Sequence, residues 1–310
     1  MKPKILLTGR NGQIGEELER LLPQLGEVVA LGRQELDLSN SEEIRRTIRE
    51  IRPNLIVNAA AYTAVDQAEK EETAANEINS SAVAIMAEEA KKIGASLVHH
   101  STDYVFDGLK GNPYLEDDPT GPINAYGRTK LAGEQAIRAS GVPHLIFRTS
   151  WVYATRGRNF LLTILRLATQ REELRIVRDQ IGAPTWSREI ADATTKILSQ
   201  LYGGETSQDS LSGVSGTYHM TAGGVTNWHE FAIAILEEAS PASKTATWFA
   251  AATGGKPLIT RRVVPIATQE FPTPARRPAY SVLSNARLMK TFGLQLPEWR
   301  TQLHRAFSDS

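Results

Sequence analysis

Residues 4–15 read KILLTGRNGQIG, an apolar run that leads directly into a loop containing Gly9, Gly12 and Gly15. The run is typical of a buried strand, and the residues after the loop carry isoleucine and leucine at helical spacing. Glycines between a strand and a helix let the backbone turn tightly and let a pyrophosphate approach the helix N-terminus. Their spacing, G-x-x-G-x-x-G, is one residue longer in its first gap than the commonest dinucleotide fingerprint. The stretch predicts a dinucleotide-binding strand, loop and helix.

Strand and helix patterns alternate from this unit to about residue 150. Strands are expected at residues 4–8, 27–31, 55–58, 96–100 and 144–148, and helices at 12–22, 41–51, 73–93 and 127–139. Ser41 is predicted to cap the second of these helices. The alternation implies right-handed crossovers and a parallel sheet that is covered on both faces. We therefore predict an α/β fold with a Rossmann-like, doubly wound parallel sheet.

The chain of 310 residues is longer than one typical domain. Residues 1–150 are expected to form the Rossmann domain. The alternation is less regular beyond residue 150, which predicts a smaller α/β region over residues 151–310 that mainly binds the substrate. Segments near 174–200 could return to the first domain, so this boundary is left open.

The composition excludes several classes of protein. Lysine and arginine together number 35, as do aspartate and glutamate, so no net charge draws the chain to nucleic acid or to an anionic membrane. The absence of cysteine excludes disulfides, thiolate catalysis and cysteine-ligated zinc. The first apolar run is too short for a signal peptide, and no later stretch has about 18 uninterrupted apolar residues. We expect a cytoplasmic protein with neither nucleic acid nor membrane as partner.

The end of the second predicted strand favours NADP over NAD. NAD-binding folds place an acid there for the ribose hydroxyls, whereas this chain has Gly32 followed by Arg33. Arg10 in the glycine loop adds a second guanidinium, and both would suit a 2′-phosphate. Asp37 and Leu38 are expected to flank the adenine. The alternative is that both arginines are solvated surface residues, which keeps NADH possible as the cofactor.

Three side chains form a candidate catalytic group. Tyr126 and Lys130 are four residues apart in a predicted helix and so share one face. A phenol has a pKa of about 10, and a neighbouring cation brings that pKa towards the working pH. Thr102 follows the strand predicted at 96–100, where a hydroxyl faces the ligand crevice of a parallel sheet. It could donate to a substrate oxygen, although such residues also serve as turn residues.

These features together resemble a known family. The matching segments are GRNGQIG (9–15), NAAAYTAVDQAE (58–69), STDYVFDG (101–108), NAYGRTKLAGE (124–134), RTSWVY (148–153), DQIGAPT (179–185) and PARRP (274–278). The chain is identified by them as similar to the extended short-chain dehydrogenase/reductases, and more closely to the family of dTDP-4-dehydrorhamnose reductases. The segments span most of the chain.

The resemblance implies an activity and a set of roles. Hydride would pass from NADPH to the 4-keto carbon of a dTDP-4-dehydro-6-deoxysugar, with Tyr126 as proton donor, Thr102 polarising the same oxygen and Lys130 lowering the pKa of the tyrosine. The resemblance also implies further contacts with the cofactor and with the dTDP-sugar. Cofactor contacts would include Gln13, Ile14, Ala60, Ala61 and Tyr62, and substrate contacts would include Asp103, Tyr104, Trp151 and Arg276 or Arg277.

Two other functions remain open at this point. Sugar-nucleotide dehydratases and epimerases are similar, but the dehydratases carry glutamate where this chain has Tyr104. A non-catalytic regulatory or binding subunit on the same fold could keep the Tyr126/Lys130 pair. Some bacterial members of the family join two subunits through magnesium held by glutamates. Glu17 matches one such position and Arg188 replaces another, so we predict no metal and leave a homodimer possible.

Overall fold

The computed structural model describes residues 2–202, 209–239 and 246–308. The strands are β1 (Lys4–Thr8), β2 (Glu27–Leu31), β3 (Leu55–Asn58), β4 (Ser96–Thr102), β5 (His144–Thr149), β6 (Val152–Tyr153), β7 (Glu173–Val177), β8 (Ile181–Gly182), β9 (Thr185–Trp186), β10 (Gly216–His219), β11 (Thr226–Asn227) and β12 (Arg262–Ile266).

The α-helices are α1 (Gln13–Leu21), α2 (Ser41–Ile51), α3 (Val65–Ala68), α4 (Glu72–Asn76), α5 (Ala82–Ile93), α6 (Ala125–Ser140), α7 (Phe160–Ala168), α8 (Ser187–Tyr202), α9 (Asp209–Gly213), α10 (Trp228–Glu238), α11 (Thr247–Thr253), α12 (Ala286–Phe292) and α13 (Trp299–Ser308). Short 3₁₀ turns occupy Leu22–Gln24, Asp103–Val105 and Thr268–Glu270, and a π-helical turn occupies Glu77–Ser81.

A parallel sheet organises the fold. Within the described ranges it has six strands in the order β10-β5-β4-β3-β1-β2, and every neighbouring pair is parallel. The order reverses between β1 and β3, and ligands of such sheets bind beyond the carboxyl ends of the strands at that point. The Rossmann-like, doubly wound class predicted from the sequence is confirmed.

Alternating side chains of the strands supply two cores, one on each face of the sheet. Ile5 and Leu7 of β1 pack on one face with α1 and α8, whereas Leu6 packs on the other with α2 and α5. Helices on both faces explain why the strands read as continuous apolar runs. The cap of α2 was predicted wrongly: Asn40 accepts a hydrogen bond from the Glu43 amide, so Asn40 is the N-cap and Ser41 is the first helical residue.

Elements after residue 150 contribute to both parts of the fold. β10 extends the main sheet by pairing with β5, and α8 packs against α1. Three short two-stranded pairs, β7 with β12, β8 with β11 and β6 with β9, lie outside that sheet in the described ranges. A separate core joins α7, α10, α11 and α13. None of the helices in the described part of the chain is long and apolar enough to cross a membrane.

Candidate active site

A cleft of about 730 Å³ opens beyond the carboxyl ends of β1, β3, β4 and β5. Most of the residues predicted for cofactor, catalysis and substrate line it together: Gly9, Gly12, Gln13, Ile14, Arg33, Asp37, Leu38, Ala60, Ala61, Tyr62, Thr102, Asp103, Tyr104, Tyr126, Lys130 and Trp151. Arg10, Gly15, Arg276 and Arg277 are not part of its lining. Residues separated by more than 100 positions in the chain thus meet at one place.

The glycine loop is shaped to bring the backbone close to a ligand. Gly9 has a φ of +79°, and a Cβ there would lie 2.6 Å from the Ala60 nitrogen. Gly15 faces inward, since a Cβ there would lie 2.0 Å from the Gly9 carbonyl oxygen. The absence of a side chain at Gly15 lets α1 approach the loop, and Gly15 itself does not line the cleft. Both positions require glycine, and the loop fits a dinucleotide pyrophosphate at the α1 N-terminus.

The two arginines near this loop are placed differently. Arg33 is exposed and lines the cleft beside Asp37. The Arg10 guanidinium instead lies 3.4 Å from the Glu19 carboxylate and 3.9 Å from that of Glu35. Glu35 in turn accepts from the Gly32 amide at 2.9 Å. Arg10 therefore balances two carboxylates and does not line the cleft, whereas Arg33 does.

Two buried asparagines that the sequence analysis did not single out fix the segment Ala60–Tyr62. Asn58 Oδ1 accepts from the Ala60 amide at 3.0 Å and from the Thr8 hydroxyl at 2.7 Å. Asn79 Oδ1 accepts from the Tyr62 amide at 2.9 Å, and its Nδ2 donates to the Tyr62 carbonyl at 3.1 Å. Asn79 lies in the π-helical turn, a feature often found at functional sites.

Thr102, Tyr126 and Asp103 form a hydrogen-bonded group. The Thr102 hydroxyl donates to Asp103 Oδ1 at 3.0 Å and accepts from the Tyr104 amide at 3.2 Å. Burial raises the pKa of Tyr126 to about 12, and a hydrogen bond with Thr102 offsets only part of this rise. Burial also raises the pKa of Asp103 to about 6. Tyr126 is therefore a protonated phenol near neutrality.

Lys130 is almost fully buried beneath Tyr126, on the same face of α6. Its Nζ donates to the His100 carbonyl oxygen at 2.7 Å and lies 3.0 Å from His99 Nε2. Burial lowers the pKa of Lys130 to about 7. His99 Nδ1 lies 3.0 Å from Asn58 Nδ2, so a series of polar contacts runs from β1 to α6. The sequence analysis did not single out His99 and His100, although two adjacent histidines in a buried strand are a signal that could have pointed to these contacts.

An indole pair forms the other end of the cleft. Trp151 and Trp228 are stacked with ring centroids 3.6 Å apart and an interplanar angle of 5°, and both line the cleft. Trp151 has a φ of +48°, in the left-handed region that L-residues rarely adopt. A Cβ at Gly182 would lie 2.4 Å from Trp151 Cε2, so that glycine leaves room for the ring. No sequence pattern pointed to Trp228 or to Gly182 in this role.

The arginine pair of the PARRP segment ties the C-terminal region to the Rossmann part. Arg277 forms an ion pair with Asp66 at 2.9 Å, and the Arg276 carbonyl accepts from Asn124 Nδ2 at 2.8 Å. Arg277 contributes electrostatically to the pKa of Tyr104, which places it near the cleft. Glu17, predicted at the position of a magnesium ligand, pairs with Arg20 at 3.1 Å. In the described ranges, no three His, Asp or Glu side chains are grouped to hold a metal ion.

Comparisons with known proteins point to one protein family. The family model described as RmlD substrate binding domain matches residues 2–310. The dTDP-4-dehydrorhamnose reductase of Burkholderia thailandensis is 52% identical over 299 residues, covering 96% of this chain and 95% of that protein. The same-named protein of Escherichia coli K12 is 43% identical over 309 residues, covering 98% of this chain and 97% of that protein.

Comparison with solved structures supports the same family. The crystal structure of dTDP-4-dehydrorhamnose reductase from Bacillus anthracis in complex with NADP matches with a TM-score of 0.86 at 35% identity, covering 100% of both chains. A Thermus thermophilus UDP-glucose 4-epimerase, at 20% identity and a TM-score of 0.73, shares the fold alone. The resemblance predicted from the motifs is confirmed. The chain belongs to the dTDP-4-dehydrorhamnose reductase family of the extended short-chain dehydrogenase/reductases.

Proposed function

We propose that this protein is an NADPH-dependent reductase of the 4-keto group of a dTDP-4-dehydro-6-deoxysugar, converting dTDP-4-dehydrorhamnose to dTDP-L-rhamnose. The observation that carries the proposal is the meeting of Thr102, Tyr126 and Lys130 with the glycine loop in one cleft. The names of the full-length relatives support the same substrate.

The proposed chemistry assigns each side chain one task. Bound NADPH supplies the hydride. Tyr126, protonated near neutrality because burial raises its pKa to about 12, donates its proton to the oxygen that becomes a hydroxyl. Thr102 shares its hydroxyl between Asp103 and Tyr126 and so orients the phenol, and it can turn the same hydrogen towards the substrate oxygen. Lys130 positions the cofactor from beneath the tyrosine.

We propose that Arg33 holds the 2′-phosphate of NADPH and that Arg10 does not. Arg33 lies at the end of β2, where the cleft is also lined by Leu36, Asp37 and Leu38. Arg10 does not line the cleft and is paired with Glu19 and Glu35. NADH lacks the phosphate and would bind more weakly at this end.

We also propose a division of the chain into a cofactor part, residues 1–150 joined by α8 and β10, and a mainly sugar-nucleotide part formed by the rest of residues 151–310. Trp151 and Trp228 supply an apolar wall for the deoxysugar, and Tyr104 supplies a phenol near Tyr126, with ring centroids 5.7 Å apart. Tyr104 stands where dehydratases carry glutamate, which argues against water elimination.

Turnover with purified ligands tests the proposal. The protein is expected to consume NADPH when given dTDP-4-dehydrorhamnose, and Tyr126→Phe is expected to lower the rate about 10²–10⁴-fold. Cofactor affinity, measured by NADPH fluorescence, should change little because the ring is retained. Binding of both ligands without turnover would instead indicate a non-catalytic subunit, and a Tyr126→Phe rate within a few-fold of the wild type would contradict the role of Tyr126.

A further inference from the structure

The segment between β6 and α7 lies against the glycine loop. Arg156 of this segment forms an ion pair with Glu16 of α1. It also donates at 3.4 Å to the carbonyl oxygens of Gly12 and Gln13. Asn159 Nδ2 donates to Gln13 Oε1 at 2.9 Å. These contacts hold the segment at the N-terminal turn of α1.

Arg158, a second arginine of this segment, is placed differently from Arg156. It is exposed, and it lines the cleft together with its neighbours Gly157 and Asn159. Its guanidinium forms no ion pair or hydrogen bond with any other residue that the structure describes. The N–H donors of this guanidinium are therefore available to an anion that enters the cleft.

The residues that follow Arg158 place it between the two ends of the cleft. Asn159, the next residue, contacts Gln13 beside the glycine loop. Phe160, the residue after that, packs on Trp228 of the indole pair, with ring centroids 4.5 Å apart. Arg158 therefore lies beside the part of the cleft where the glycine loop and the indole pair come together.

Few other cations line the cleft. Among the described residues, the other lysine and arginine side chains of the lining are Arg33 and Lys130. Arg33 follows the end of β2, and Lys130 is 1% exposed. The ring of His100 is uncharged near neutrality, because burial lowers its pKa to about 4. A diphosphate that lies between the glycine loop and the indole pair would thus find its exposed cation in Arg158.

We propose that Arg158 is a diphosphate-binding residue of the cleft, whose guanidinium holds the diphosphate of a nucleotide ligand by charge-assisted hydrogen bonds. The inference rests on the function proposed above and deepens it. Arg276 and Arg277, which were expected at the substrate, do not line the cleft, and Arg277 is paired with Asp66. The cofactor and the dTDP-sugar both carry a diphosphate, and binding measurements decide between these two sources.

Arg158→Ala tests the proposal in binding assays. The affinities for NADPH and NADH are measured by cofactor fluorescence, and the affinity for dTDP by calorimetry. We expect the ligand whose diphosphate contacts Arg158 to bind about tenfold more weakly, the loss of one charge-assisted contact. Equal weakening of NADPH and NADH identifies the cofactor diphosphate, because the two cofactors differ only at the 2′-phosphate. Weakening of dTDP alone identifies the diphosphate of the sugar nucleotide.

Arg166→Ala is the matched control, because Arg166 lies on α7, is exposed and does not line the cleft. It removes the same charge from the molecule and should change the three affinities little. Arg158→Lys should retain part of the affinity, since it keeps the charge but not the planar guanidinium.

Two results would overturn the proposal. One is a loss in Arg158→Ala no larger than that in Arg166→Ala. The other is weaker binding of NADPH without weaker binding of NADH, which would assign Arg158 to the 2′-phosphate. The assays need no turnover, so weaker diphosphate binding by Arg158→Ala in a protein that reduced no dTDP-4-dehydrorhamnose would contradict the proposed function and leave this inference standing.

Discussion

At the scale of single residues, Arg33 and Arg10 share a charge but not an environment. Arg33 faces the cleft, and Arg10 faces Glu19 and Glu35. We expect Arg33→Ala to lower the preference for NADPH over NADH, measured as the ratio of kcat/KM values, by about tenfold, the loss of one charge-assisted contact. Arg10→Ala is the comparison variant and should change the ratio less. A larger effect from Arg10→Ala would place the 2′-phosphate on the other side of the loop.

Asp103 gives a prediction about pH. Burial raises its pKa from 3.8 to about 6, against the hydrogen bonds from Ser281, Thr102 and Ser150 that lower it. At pH values between these two pKa values, Asp103 keeps its proton in the folded protein, whereas the unfolded chain has released it. The free energy of unfolding of the wild type should therefore fall as pH rises through this window. Relative to Asp103→Asn, which does not titrate, the wild type should lose about 2 kcal/mol of unfolding free energy between pH 4 and pH 7.

Denaturant unfolding of both proteins at pH 4 and pH 7 measures that difference. Asp118 provides a control of opposite sign, because its hydrogen bond with Lys110 lowers its pKa. Its contribution should be fully present above the unfolded pKa of 3.8 and be lost below it, so a further measurement at about pH 2 should show the wild type losing stability from pH 4 downward relative to Asp118→Asn. If Asp103 behaved in the same direction as Asp118, its carboxylate would be stabilised by its neighbours rather than destabilised by burial.

At the scale of elements, β8 and α10 hold Trp151 in its strained backbone conformation. Gly182 of β8 leaves space for the ring, and Trp228 of α10 stacks on it. Trp228→Ala should weaken binding of the dTDP-sugar about 2–10-fold, since aromatic pairs contribute about 0.5–1.5 kcal/mol. Gly182→Ala should do the same by displacing the ring, while NADPH affinity is retained in both variants.

Calorimetric titration of the dTDP-sugar and of NADPH into each variant measures these two affinities. Trp248→Ala is the matched control, because Trp248 packs on Phe249 and Phe307 and does not line the cleft. Equal loss of both ligands in Trp228→Ala would indicate general damage to packing. Unchanged sugar-nucleotide binding would place the deoxysugar away from the indole pair.

The elements themselves were readable from the sequence, but their side-chain pairings were not. β1, β2, α2 and β3 begin and end where periodicity predicted, because each is a local pattern of apolar residues. The cap of α2 was misplaced by one residue, since Asn40 and Ser41 are both good caps. The contacts of His99 with Asn58 and Lys130 depend on the register of β4 against β3 and on the packing of α6, and no local pattern encodes these.

The same limit applies to the candidate site. The glycine loop and the Tyr126/Lys130 pair follow from spacing within one element, and all of these predicted residues except Arg10 and Gly15 line the cleft. Arg10 lies four residues from Ile14 in the chain, yet its orientation is decided by Glu19 and Glu35. Trp228 comes from a helix that lies more than 70 residues after Trp151, so its contribution depended on the tertiary fold.

At the scale of the whole molecule, specific polar contacts beside the cleft join residues after 150 to the Rossmann part, in addition to the packing of α8 and the pairing of β10. Asn159 donates to Gln13 at 2.9 Å beside the glycine loop. At a second contact, Asp66 accepts a hydrogen bond from the Ala275 amide at 3.1 Å and forms an ion pair with Arg277 at 2.9 Å. Asp66 thus fixes both the backbone and a side chain of the segment that follows β12, at the edge of the cleft near Tyr104.

Asp66→Ala should release this segment without unfolding the sheet. The Ala275 amide loses its acceptor, so its hydrogen exchange, followed by NMR, should accelerate roughly tenfold, as expected for one charge-assisted hydrogen bond. Glu72→Ala is the matched control, because it removes a neighbouring ion pair with Arg128 but no contact with residues 273–278. Exchange at Ala275 that is equally slow in Asp66→Ala would mean that the segment is held instead by Asn124, which donates to the Arg276 carbonyl, and by the close packing of Gly108 against Pro278.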